Sequence, residues 1–231
     1  MLDFSNFEVL TFDCYGTLID WDTGIFAALK PILAAHGKSV PDAKLLELYG
    51  DLESEAEAGE YRPYHEVLRS VVRNLGKQLS FTPTVDEVDS LPLSVPRWRP
   101  WPDSVAALQK LRTRYRLAII SNIDDFLFES TRPQLPVDFE TVTTAQQARC
   151  YKPGVEIFRK AFERLAIAPA RILHVGQSVY HDVLPAQSLG LATVWVNRPS
   201  PRAGVGAVKP ASGKPDLEVP DLATLAALAT A

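Results

Sequence analysis

Val9-Leu10-Thr11-Phe12-Asp13-Cys14-Tyr15-Gly16-Thr17-Leu18 carries an apolar, β-branched and aromatic run into an aspartate and then a glycine. Such a run reads as a buried strand that hands its last side chain to a loop, with Gly16 breaking the strand. Open α/β sheets place their chemistry outside the carboxyl ends of their strands. Asp13 is thereby a candidate functional carboxylate, or else an aspartate that turns the chain after a strand. It has no acidic neighbour two residues on, because Tyr15 occupies that position.

Working outward, the second half of the chain alternates regularly. A helical stretch from about Asp103 to Arg114 precedes the apolar strand Leu117-Ala118-Ile119-Ile120, which stops at Ser121-Asn122. A helix starts near Asp124, and Phe139 to Val142 reads as the next strand. Val155, Phe158, Phe162 and Leu165 recur at three- and four-residue spacing, an amphipathic helix from Gly154 to Leu165. Ile172-Leu173-His174-Val175 is a strand ending at Gly176, and Ala192 to Val196 is another. Strands and helices alternating in this way predict a doubly wound, parallel α/β sheet covered on both faces.

The stretch from about Trp21 to Arg97 differs in kind. Tyr64, Val67, Leu68, Val71, Val72 and Leu75 follow a helical period, and no buried strand stands between the helical patterns. It predicts a helical cap over residues 21–97, inserted into an α/β core made of residues 1–20 and 98–231. Pro92, Pro96, Pro100 and Pro102 mark the return linker. The Pro-, Gly-, Ala- and Ser-rich tail from Pro199 to Pro215 reads as an extended surface loop. Leu217-Glu218-Val219 follows as a short strand and Leu222 to Ala229 as a closing helix.

Composition narrows the function classes. The 231 residues are 46% hydrophobic and 23% charged, ordinary for a globular protein, and the formal net charge of -4 offers no basic footprint for nucleic acid or a membrane surface. No apolar run approaches the ~18 residues of a membrane span, and the first residues lack a signal-peptide pattern. Two cysteines, Cys14 and Cys150, imply no disulfide framework and fit a cytoplasmic setting. Cys14 reads as a small buried side chain. A homodimer is compatible with the sequence, although no exposed apolar patch can be read from it.

Four predicted loops present polar residues: Asp13 after the first strand, Ser121-Asn122 after the next, Lys152-Pro153 before a helix, and Gly176-Gln177-Ser178 with Asp182 after a later strand. In this order they resemble the haloacid dehalogenase superfamily over essentially the whole chain, with Asp-x-x-Gly-Thr, Ser/Thr at a strand end, Lys-Pro and an acidic loop. Phosphatases of that superfamily carry a second Asp where this chain has Tyr15, and Gly-Asp where it has Gly176-Gln177. The missing carboxylates speak against Mg²⁺, which needs hard oxygen ligands, and against an alkoxide leaving group, which needs a proton donor.

The Asp13-x-Tyr15 pattern is instead similar to the type II L-2-haloacid dehalogenases, which need no metal or cofactor. That resemblance implies that Asp13 displaces a leaving group from a small 2-substituted carboxylate to form an ester, which water then cleaves. It assigns Lys152 to keeping Asp13 ionised, Asp182 with Lys152 to the hydrolytic water, Ser121 to the substrate carboxylate, Asn122 to the leaving group and Thr17 to orienting Asp13. Tyr15, Cys14, Gln177, Ser178 and Arg62 complete the expected substrate contacts. Those dehalogenases cradle the halide with a cap arginine, where this chain aligns Leu48-Tyr49-Gly50; Arg62 is the nearby substitute. Thr11 to Trp21, Ser121 to Asp124 and Ser178 to Asp182 also resemble azetidine-2-carboxylate hydrolase, in which a ring amine leaves. A magnesium phosphatase is the reading from a different reaction class.

Overall fold

The computed structural model describes residues 2–231. Its elements, in chain order, are β1 (Val9–Phe12), α1 (Trp21–Ala35), α2 (Asp42–Glu57), α3 (Tyr64–Gln78), α4 (Val85–Ser94), α5 (Ser104–Leu111), β2 (Arg116–Ser121), α6 (Asp125–Thr131), β3 (Thr141–Thr144), α7 (Ala145–Ala148), α8 (Glu156–Leu165), β4 (Ile172–Gly176), α9 (Leu184–Ser188), β5 (Ala192–Val196), β6 (Leu217–Val219) and α10 (Leu222–Ala229). One π-helical turn, Val179–Val183, leads into α9.

The six strands form one sheet in the order β3-β2-β1-β4-β5-β6. Every pairing is parallel. The order reverses direction at β1, the switch point at which doubly wound sheets open a crevice. All four residues of β1 are buried, as an apolar run covered on both faces requires. Asp13 continues the strand by one bond, its N–H donating to the Val175 carbonyl at 3.0 Å.

Helices α1–α4 all fall between β1 and β2. Each buries an apolar stripe: Val67, Leu68, Val71, Val72 and Leu75 of α3 are at most 1% exposed. Helix α4 is opened by a capping box, in which Glu87 N–H donates to Thr84 Oγ1 and Thr84 N–H donates to the Glu87 carboxylate. The N-terminus of α3 is capped from the other side of the molecule. Asp124, 1% exposed, accepts the Tyr64 and His65 backbone N–H groups, both at 2.8 Å, and fastens the insertion to the loop after β2.

Three expectations are corrected. The third strand is Thr141–Thr144 rather than Phe139–Val142, because pairing with β2 sets Ala118 opposite Thr141 and Ser121 opposite Thr144. Pro92 lies inside α4 and not in a linker, so the extended return begins only after the 3-10 turn Val95–Arg97. The tail from Pro199 to Pro215 is not wholly a surface loop: Gly206, Ala207 and Val208 are buried. Gly50 makes room for them, since a Cβ on it would stand 2.8 Å from the Ala207 carbonyl oxygen. Among the described residues no helix is long and apolar enough to cross a membrane.

Candidate active site

The loops after β1, β2 and β4 and the turn before α8 bring Asp13, Ser121, Lys152 and Asp182 to one cavity at the strand ends. Lys152 is 2% exposed, and its ammonium is fully engaged. Nζ donates to Asp13 Oδ1 at 2.8 Å, Asp182 Oδ1 at 2.7 Å and the Ile120 carbonyl at 3.1 Å. Burial disfavours its charge, but the two carboxylates outweigh burial and hold it protonated. Burial raises the Asp13 carboxyl against the pull of Lys152. It acts on Asp182 in the same direction, yet there Lys152 and His174 prevail and hold the carboxyl well below the usual range.

Asp13 has a second anchor. Thr17 Oγ1 donates to Asp13 Oδ2 at 2.7 Å and accepts the Gln177 N–H at 2.9 Å, so one hydroxyl ties the β1 loop to the β4 loop. Gly16, with φ +96°, turns the chain between them; a Cβ there would stand 3.1 Å from the Trp21 indole nitrogen and 3.2 Å from Gln177 Oε1. Behind Asp182, Ser178 N–H donates to Oδ2 at 3.2 Å, and His174 stands 3.3 Å from Oδ1 with its other ring nitrogen 2.9 Å from Thr11 Oγ1.

Of the other expected residues, Tyr15, Asn122, Gln177 and Ser178 line the cavity. The Tyr15 hydroxyl is paired with Thr131 Oγ1 at 2.8 Å. The Asn122 carboxamide is committed to Lys152, accepting its backbone N–H at 2.7 Å and donating to its carbonyl at 3.1 Å; this places Asn122 as a support for the lysine loop. Two expected contacts lie elsewhere. Arg62 is not in the cavity wall, because its Nε and Nη2 donate to the Ala56 carbonyl at 2.9 and 2.7 Å and close the end of α2. Cys14 is fully buried under the sheet end and does not line the cavity, and burial pushes its thiol far up.

The opposite wall comes from the insertion and was not foreseen. Glu53 and Glu57 of α2, Tyr64 of α3 and Trp21 of α1 face the core loops, with His181 and Val208 closing the sides. Glu53, 3% exposed, accepts the hydroxyls of Tyr64 at 2.5 Å and Tyr49 at 2.9 Å, both on Oε1. Burial brings its carboxyl to about 7, the tyrosine hydroxyls only partly opposing this. Burial, with Glu53 as neighbour, raises Glu57 further still, and only Asn122 Nδ2, at 3.4 Å, approaches its carboxylate. Tyr49, Glu53 and Glu57 repeat at four-residue spacing, a signal in the sequence for one shared helix face. Burial brings His181 down to about 4 and leaves a neutral imidazole. Its Nε2 and Ser121 Oγ are buried and have no hydrogen-bond partner among the described residues.

A magnesium ion does not fit this donor set. The space between Asp13 and Asp182 is filled by the Lys152 ammonium, Gln177 supplies a carboxamide whose Nε2 donates to the Val205 carbonyl at 3.1 Å, and among the described residues no three His, Cys, Asp or Glu side chains group as a metal site would.

Comparison with known proteins agrees with this architecture. The L-2-haloacid dehalogenase of Xanthobacter autotrophicus superposes with a TM-score of 0.80 at 22% identity, over 96% of this chain and 98% of that one. A HAD hydrolase of Bacillus subtilis, bound to magnesium, gives 0.80 at 18% identity over 97% and 99%. Curated relatives match in part. The glyceraldehyde 3-phosphate phosphatase of Methanothermobacter thermautotrophicus is 30% identical over 102 residues, 43% of this chain and 45% of the relative. The (S)-2-haloacid dehalogenase 4A of Burkholderia cepacia is 29% identical over 101 residues, 42% and 43% respectively. The matched region thus spans less than half the length of each of these two relatives. The model of the haloacid dehalogenase-like hydrolases matches residues 7–190, and the chain belongs to that family of hydrolases.

Proposed function

We propose that this hydrolase displaces a leaving group from C2 of a small 2-substituted carboxylic acid through an aspartyl ester on Asp13, without a metal ion. The observation that carries the reading is the buried Asp13–Lys152–Asp182 chain, in which one lysine ammonium is shared between two carboxylates. In the first step an Asp13 oxygen attacks C2, and the bonding pair leaves with the departing group. Lys152 and Thr17 hold the attacking carboxylate in place and favour its ionised form against the effect of burial. In the second step water attacks the Asp13 carbonyl and releases a 2-hydroxy acid. Asp182, with the neutral His181 beside it, supplies acceptors for the water's protons.

The cavity has an open volume of about 30 Å³, little more than one or two waters need. It favours a small substrate and admits it only as the walls move. A hollow of about 500 Å³, which shares Glu57 and Lys152 with the cavity, is the natural approach. A 2-haloacid dehalogenase is the reading that the Asp13 loop supports, and opening of azetidine-2-carboxylate at its C–N bond is the second. The acidic wall contributed by α2 favours the second.

A panel of chloroacetate, L- and D-2-chloropropionate, azetidine-2-carboxylate and a generic phosphate ester, assayed with and without EDTA, tests the reaction class. Turnover of one of the carboxylates, unchanged by chelator, is expected. Phosphate release that EDTA abolishes and Mg²⁺ restores would overturn the proposal in favour of a phosphatase.

A further inference from the structure

The cavity wall is polar or aromatic except at one point: Val208, 4% exposed, is its one aliphatic side chain among the described residues. The aromatic rings of the wall are fixed, since the hydroxyls of Tyr15 and Tyr64 pair with Thr131 and Glu53 at 2.8 and 2.5 Å and Trp21 meets buried Tyr49 edge-on. Val208 comes instead from the connection between β5 and β6, which forms no helix or strand. That connection is tied down where it meets the cavity. Arg202 Nη1 donates to the Gly206 and Val208 carbonyls at 2.7 and 3.0 Å, Gln177 Nε2 to the Val205 carbonyl at 3.1 Å, and Ser200 Oγ to Asp22 Oδ2 at 2.6 Å. It also lies on α2, one turn before Glu53, where a Cβ on Gly50 would stand 2.8 Å from the Ala207 carbonyl oxygen and 3.2 Å from the Val208 carbonyl carbon. Both are backbone atoms, so no side-chain rotation would relieve such a contact.

We propose that Val208 determines which group C2 of the substrate carries, accepting hydrogen or a single carbon and rejecting longer or branched chains. The inference rests on the Asp13 ester reading for the position of C2, and deepens it. With the carboxylate end served by a donor such as the unpartnered Ser121 Oγ, an alkyl group on C2 is the part of the substrate that gains nothing from polar partners. Pressed against a buried carboxylate or carboxamide, it would strip water from that group and return no hydrogen bond. Val208 offers the surface on which that cost does not arise.

Size selection follows from the same contact. The open volume of about 30 Å³ leaves no slack around Val208, and the contact with Gly50 stops the segment from moving toward α2. A packed interior takes up an added methylene only with strain. In a fitted apolar pocket one methylene is worth about 10- to 200-fold in discrimination.

Binding reads this selection without turnover. Chloroacetate, 2-chloropropionate, 2-chlorobutyrate and 2-chloro-3-methylbutyrate are titrated calorimetrically into the Asp13→Asn protein, alone and combined with Val208→Ala, Val208→Leu or Gly50→Ala, each first shown to unfold as cooperatively as the parent. The first two acids should bind at least ~10-fold more tightly than the last two. Val208→Ala should close that gap, and Gly50→Ala, which displaces the loop without altering a side chain of the cavity wall, should narrow it. Val208→Leu should weaken 2-chloropropionate at least ~10-fold while sparing chloroacetate. A loss of affinity shared equally by all four acids, an order that neither Val208 substitution moves, or binding of none would overturn the proposal. The same acids given to the wild-type protein in H₂¹⁸O keep the two readings apart. An order that follows the Val208 substitutions with Asp13 unlabelled would retain the size selection and remove the ester, whereas label on Asp13 with an unmoved order would do the reverse.

Discussion

The two walls of the cavity bury carboxylates on different terms. On the strand side Asp13 and Asp182 flank Lys152 Nζ at 2.8 and 2.7 Å, and their remaining oxygens accept from Thr17 and Ser178. On the insertion side Glu53 has tyrosine hydroxyls and no cation, and Glu57 has Asn122 alone. The Asp13–Lys152–Asp182 group is fully paired before any ligand arrives, which holds the Asp13 carboxylate in one orientation. The second wall is complete only when something positive enters or when its acids are protonated. On the proposed mechanism, the attacking carboxylate and the wall that would select its substrate sit on separate parts of the chain.

Removing the lysine should break the first wall. Lys152→Met leaves two buried carboxylates side by side, and truncating one partner of a buried ion pair typically destabilises by roughly 3–5 kcal/mol. Urea unfolding at pH 7 measures it; a loss under about 1 kcal/mol would mean that the pair is not holding the strand ends together.

The second wall should answer to pH in the opposite sense from an ion pair. The Glu53 carboxyl lies at about 7 in the folded protein against an ordinary 4.5, so the unfolded chain gives up its proton first. Folding stability therefore falls as pH rises from about 4.5 through 7, by at most about 3 kcal/mol from this group. Glu53→Gln, which keeps an oxygen for both tyrosines, should flatten that fall between pH 5 and 8. An unchanged slope would show that the carboxyl titrates normally and that the contrast between the walls is false. The smallest effect belongs to Arg62→Ala. Because its guanidinium spans only to the Ala56 carbonyl, kcat and KM should stay within about twofold and stability within about 1 kcal/mol. A large rise in KM would return Arg62 to the substrate.

How legible each wall was in the sequence follows from where its residues sit. Asp13, Ser121 and Gln177 stand directly after runs buried on both faces, and such runs have few alternative readings, so the sheet and the strand-side wall could be read together. The edge strand β3 was displaced by two residues because its threonines lack the apolar signature, while Phe139, which has it, packs just ahead of the strand. Glu53 and Glu57 look like solvated helix charges, yet tertiary packing buries Glu53 with Tyr49 and leaves Glu57 half-buried at the cavity. Composition likewise marks Pro199 to Pro215 as loop, yet it carries no information that Ala207 and Val208 fold back against Gly50. Arg62 lies near the aligned cap position in sequence, but proximity in sequence says nothing of the direction its side chain takes, which is toward the Ala56 carbonyl.

A single turnover in H₂¹⁸O, with enzyme in excess over azetidine-2-carboxylate or 2-chloropropionate, whichever is consumed, tests the Asp13 ester most directly. Mass spectrometry of the peptide containing Asp13 and of the hydroxy acid reads where the oxygen goes. If water attacks the Asp13 carbonyl, one ¹⁸O enters Asp13 and the first-turnover product carries the protein's unlabelled oxygen. Label in that product with Asp13 unlabelled would mean that water attacks C2 itself, and that Asp13 is a base and not the nucleophile.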